Sequence, residues 1–201
     1  MRATSVLVWA LVALFSLSAS AQTTPVRIRG TIENLYGQTL VVNGRDGGSA
    51  MIVTLDANFT VSAVVKKSFS DIKAGDFVAS TSVKGTDGKL HALELHFLPE
   101  SARATAEGQT PWDLAPDSLM TNAVVTGIAG TPGSQSIKVN YKGTDAEVFV
   151  QPDTPVVAYA PADVTALKPG AAVFIFAQKR ADGGLSASRV TVEKDGVKPP
   201  M

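Results

Sequence analysis

Apolar positions in this chain recur mostly with a period of two, the spacing of half-buried strands. Val26-Arg27-Ile28-Arg29 alternates apolar and charged and runs on through Gly30-Thr31-Ile32. Thr39 to Asn43 is a β-branched run, and Met51, Val53 and Leu55 share the next face. Ser70-Asp71-Ile72-Lys73 predicts one helical turn, capped by Ser70 or a neighbour and ended by Gly75. Phe77 to Val83 predicts a strand, and Asp87-Gly88 a hairpin turn. In the closing strand, alternation puts His91, Leu93, Leu95 and Phe97 on one face and Ala92, Glu94 and His96 on the other.

The pattern then occurs a second time. Asp87-Gly88-Lys89-Leu90-His91-Ala92 returns as Asp182-Gly183-Gly184-Leu185-Ser186-Ala187, and Lys73-Ala74-Gly75 as Lys168-Pro169-Gly170, both 95 positions on. Thr39-Leu40-Val41-Val42-Asn43 matches Ser136-Ile137-Lys138-Val139-Asn140 at 97, and Asp56 matches Asp153. The paired aspartates predict duplicated turn caps at the end of the third strand. Five strands and one helical turn per repeat predict an all-β protein of two tandem small OB-like barrels joined by a long docked linker. The expected boundaries are 22–97 and 123–193 for the modules, 98–122 for the linker and 194–201 for a frayed tail. Val156 to Tyr159, between prolines, predicts a short edge strand.

Residues 1–21 stand apart. One charge (Arg2), an apolar run from Val6 to Leu17 and Ala19-Ser20-Ala21 make the pattern of a cleaved signal peptide, which predicts export to the periplasm. No later stretch has the ~20 apolar residues of a membrane-spanning helix. The chain has no cysteine, so disulfides, thiolate metal sites and cysteine nucleophiles are absent. Basic and acidic residues balance at 18 each, which argues against nucleic acid as a partner.

Several pieces together carry a family resemblance: Arg29-Gly30-Thr31-Ile32, Ser70 to Val78, Pro111-Trp112-Asp113-Leu114, Met120-Thr121-Asn122, Asp153-Thr154-Pro155-Val156, Lys168-Pro169-Gly170-Ala171 and Phe176-Ala177-Gln178-Lys179. The chain resembles a bacterial family of secreted proteins classed only as a domain of unknown function, with tandem OB-like modules. The resemblance implies a fold and an envelope location and supplies no catalytic residues.

Candidate chemistry is sparse. The linker is unduplicated and holds Trp112, Asp113 and Met120, and the prolines around Tyr159 are peculiar to the second repeat, so these four are the candidate binding residues for an envelope partner or small ligand. His91 and His96 are the only histidines. With Glu94 they form the alternative, a metal or small-cation site, though alternation sets the two histidines on opposite faces. Phe77, Phe97, Phe149, Phe174 and Phe176 lie in apolar strands and are expected in the core. No Gly-x-Ser-x-Gly elbow is present, so a hydrolase ranks last. The expectation is a non-enzymatic binding or scaffolding protein without a cofactor.

Overall fold

The computed structural model describes residues 25–131 and 133–200. The signal-peptide segment lies outside the described residues. The chain is nearly all β. Its strands are β1 (Pro25–Tyr36), β2 (Thr39–Gly44), β3 (Met51–Lys67), β4 (Phe77–Lys84), β5 (Leu90–Phe97), β6 (Gly108–Pro111), β7 (Leu119–Thr131), β8 (Ser134–Tyr141), β9 (Thr144–Val150), β10 (Val156–Ala162), β11 (Ala172–Lys179) and β12 (Leu185–Val192). Short 3-10 turns at Phe69–Asp71 and Val164–Ala166 precede β4 and β11, where one helical turn per repeat is expected. The first is fixed by Asp71, whose Oδ2 accepts from Ser68 N–H and Oγ; the second by Asp163, which accepts from Thr165 N–H.

The strands close in an order that tandem modules do not predict. β1 pairs with β2, β2 with β3, β3 in parallel with β12, β12 with β11, and β11 back with β1. That is a closed five-strand barrel whose last two strands come from the second repeat. A second ring of pairings runs β7-β8-β9-β5-β4-β7 and takes β4 and β5 from the first repeat. Each repeat therefore gives its closing hairpin to the other. Self-contained barrels within 22–97 and 123–193 are corrected by these pairings. Closure removes exposed strand edges equally well with either hairpin.

The exchange follows the repeat residue by residue. Leu185 pairs with Val53 on one side and Leu90 with Val148 on the other; Val190 pairs with Val61, and Leu95 with Val156. Every partner is shifted by the same 95 positions. The end of β3, Val61 to Lys67, pairs antiparallel with its own repeat equivalent, β10. The ladder is centred on Val64 opposite Tyr159, so a pseudo-twofold axis crosses there. β10 also pairs with β5, which makes it an interior strand and overturns the edge-strand expectation. Its Pro161 lacks an N–H and lies opposite Ser62, near the strand's end and past the β5 pairing.

Two apolar interiors result. Ring 1 holds Ile28, Ile32, Leu40, Val42, Val53, Leu55, Val173, Ile175, Val190 and Val192 among its buried residues. Ring 2 holds Val78, Leu95, Ala123, Val125, Ile137, Val139, Val148 and Val150. A third, smaller cluster lies outside both, where Phe174 of β11 meets Ala79 of β4 and Met120 of β7, with Leu98, Trp112 and Tyr159 packed against it. This is the seam between the rings.

The linker supplies a further strand: β6 pairs with β7 from Gly108↔Asn122 to Pro111↔Leu119. Leu119 to Asn122 belong to β7 rather than to a linker. Asp56 lies within β3, and only Asp153 is in a loop, so the expected pair of duplicated turn caps is not found.

Candidate functional site

The four candidate binding residues converge on the seam. From β6 the chain enters a tight loop: Trp112 N–H donates to Ser118 O (2.7 Å), Ser118 Oγ donates to Ala115 O (2.8 Å), and Asp117 takes a left-handed φ of 56°. This loop straps the outer wall of ring 1. Trp112 packs beside Met120, Phe174 and Tyr159. The Arg27 guanidinium lies over its ring at 3.9 Å, and the Phe176 ring meets it edge-on with centroids 6.0 Å apart. Phe174 and Phe176 are themselves edge-to-face at 4.9 Å. Such cation–π and edge contacts use the negative face of the ring π-system.

Asp113 completes the strap by bonding both arginines, Arg29 Nη2 at 2.7 Å and Arg27 Nη1 at 3.5 Å. Partial burial opposes ionisation of this carboxyl. The Arg29 hydrogen bond and the charges of Arg29 and Arg27 together outweigh it, holding Asp113 below the usual carboxylate range. Arg27 and Arg29 flank inward-pointing Ile28 on β1, so strand alternation places both guanidinia on the outer wall.

Beneath the strap lies a buried polar network. Glu94 and His96 are both 0% exposed. Thr81 Oγ1 donates to Glu94 Oε1 (2.5 Å), Tyr159 Oη lies 3.1 Å from His96 Nδ1, and the two rings stack with centroids 5.7 Å apart. His96 Nε2 and Glu94 Oε2 approach to 3.3 Å but are misaligned for a hydrogen bond, and neither atom has another hydrogen-bond partner among the described residues. Burial first, and then the Glu94 charge, push the Tyr159 phenol upward; Arg189 opposes them.

A bulge explains how these groups come to face the seam. Thr81 pairs with Glu94 but Ser82 with Ala92, so Leu93 is the extra residue on β5. Leu90 and Ala92 before it, and Leu95 and Phe97 after it, all pack into ring 2. His91 and His96 therefore share the outer wall, contrary to simple alternation. They are still not one site. His91 Nε2 is 3.0 Å from Asp87 Oδ1 at the hairpin tip, beside Phe149. Among the described residues, no three His, Cys, Asp or Glu side chains gather as a metal-ion ligand set.

Phe176 corrects another expectation. It points out of the barrel and is 45% exposed, while Phe174 is buried in the seam rather than in a barrel interior. The residues that sequence reasoning passed over are Arg27, Arg29, Thr81 and Phe176. The alternation of Arg27 and Arg29 with Val26 and Ile28 was the available signal. Away from the seam, a surface groove of about 440 Å³ opens at the Lys67 end of the β3–β10 ladder, flanked by Lys66, Lys67 and Asp153.

No protein-family model, curated protein or solved structure matches the chain.

Proposed function

We propose that the chain is an exported, non-enzymatic binding or scaffolding protein of the bacterial envelope. Its binding surface is the strap face of ring 1. The observation that carries this reading is the half-exposed Phe176 beside Trp112 and Arg27, an aromatic and cationic ledge on the outer wall. Aromatic and arginine side chains grouped in this way are the usual anchors of protein recognition surfaces. The groups best suited to acid–base chemistry, Glu94 and His96, are sealed from solvent, which supports binding over catalysis. Five strands per ring, with a helical turn before each closing hairpin, support the OB-like description and the family resemblance.

The test is retention from an envelope extract, comparing the wild type with Phe176→Ala and Trp112→Ala. Wild-type retention that falls at least tenfold in Phe176→Ala supports the ledge as the surface. Equal retention by all three overturns it. Trp112 fluorescence gives a second readout: a shift on adding the retained fraction is expected, and an unresponsive spectrum counts against binding at the strap.

A further inference from the structure

We propose that this chain also binds a second copy of itself, by exchange of the β11–β12 hairpin. Four observations carry the proposal.

The closing hairpins occupy equivalent places in the two rings. Val78, Ala92 and Leu95 of β4–β5 fill in ring 2 the places that Val173, Ala187 and Val190 of β11–β12 fill in ring 1. Ladder registers repeat with the same 95-residue shift. Ring 1 is thus a three-strand receptor, β1-β2-β3, already closed by a hairpin distant in sequence. Its ladders read only the local sequence of that hairpin and not the chain that carries it.

The hinges match as well. Nine residues, 68–76, join β3 to β4, and nine, 163–171, join β10 to β11. The chain does not turn back before these hinges. It runs straight on, and the two extensions pair with each other about Val64↔Tyr159. An antiparallel ladder between hinge strands across a twofold axis is the contact that two copies exchanging hairpins would make. Here it is present within one chain.

The proposal commits to the β11–β12 hairpin because β4–β5 is held between two described segments that each lead into a ring, 68–76 from β3 and the one leading to β6 and β7. Reciprocal exchange between two copies also rebuilds the hairpin's ladders and seam contacts, β11 on β1, β12 on β3, and Phe174 and Phe176 under the strap; what must rearrange is the hinge, which holds buried Leu167 and the Gly170 N–H to Ile32 O bond. The choice between monomer and dimer then rests on chain concentration rather than on new contacts.

The absence of cysteine gives a clean test. Thr31 and Ala172 are ladder partners between β1 and β11. A Thr31→Cys chain and an Ala172→Cys chain are unfolded together in urea, refolded, oxidised and run on a non-reducing gel. A mixed disulfide dimer is expected. At low extents of dimerisation its ratio to monomer rises about tenfold for each tenfold rise in refolding concentration. Thr54→Cys with Ser186→Cys, across the β3–β12 ladder, gives an independent pair and decides if the first does not refold. Absence of the mixed disulfide at every concentration in chains that refold overturns the proposal. So does equal crosslinking on mixing already folded chains, because that reports surface collision.

Discussion

Ring 1 and ring 2 trace equivalent paths around different interiors. Where β11 sends Ile175 and Ala177 into ring 1, β4 sends Ser80 and Ser82 into ring 2, and these hydroxyls satisfy each other at 2.7 Å. On the outer walls the contrast reverses. Phe174 and Phe176 of β11 stand where β4 has Ala79 and Thr81, and Glu94 and His96 of β5 stand where β12 has Arg189 and Thr191. One ring is apolar inside and carries the aromatic ledge outside. The other has a partly polar interior and buries Glu94 and His96 on its outer wall. The two repeats share a backbone path and carry different side chains on it, and both contribute to the seam.

Breaking the interiors tests that contrast most strongly. Ile175→Ser places ring 2's residue in ring 1 and should cost about 4 kcal/mol, through lost burial and a new unpaired hydroxyl. Ser80→Ala at the equivalent site should cost about 1 kcal/mol or less. Urea midpoints of the two variants measure the difference, and equal shifts would mean that the rings are energetically alike.

The outer walls come next. Glu94→Ala leaves His96 buried without its carboxylate and should cost about 3 kcal/mol, while Arg189→Ala, at the exposed equivalent, should stay within about 0.5 kcal/mol. A Glu94→Ala variant as stable as wild type would show the buried network to be incidental.

How much of this could be read in the sequence depends on the kind of interaction. The strands, the turns at Asp87-Gly88 and Asp182-Gly183, and the paired phases of the repeats are local, and period and turn chemistry revealed them. The hairpin exchange left no local trace. Both closing hairpins alternate in the same phase, so the period of two does not say which receptor each one closes. Glu94 and His96 look exposed in a strand that alternates, and only the Leu93 bulge and the opposing ring bury them. Trp112, Asp113 and Met120 were legible as a group because the linker is the one apolar segment without a counterpart, and Tyr159 because its prolines are peculiar to the second repeat. Their arginine and phenylalanine partners were not, because alternation alone does not say which outer wall receives the strap.

The smallest effects concern the strap, which ring 1 has and ring 2 lacks. Asp113→Asn should cost under about 1 kcal/mol, since the carboxylate is half exposed. Its readout is Trp112 emission, which should shift toward that of a solvated ring. Acid should do the same. The folded-state pKa of Asp113 lies below its unfolded value, so its contribution is complete above that unfolded value, near pH 4, and is lost as pH falls through the folded pKa. An acid titration of Trp112 emission that is identical in the wild type and Asp113→Asn would sever the link between this carboxylate and the docking of the strap.

The shared strands also set the order in which the molecule can be completed during synthesis. Ring 2 lacks its last strand until β9 has been made through Val150, and ring 1 stays open until β12 is made through Val192. The first repeat therefore emerges as three strands awaiting a hairpin, with its own β4–β5 the nearest competitor for the gap. Ladders such as Ile28↔Ile175 close over most of the chain's length, a high contact order that predicts slow folding. Any factor that keeps β1–β3 from closing early on the nearer hairpin would decide which of the two topologies is reached.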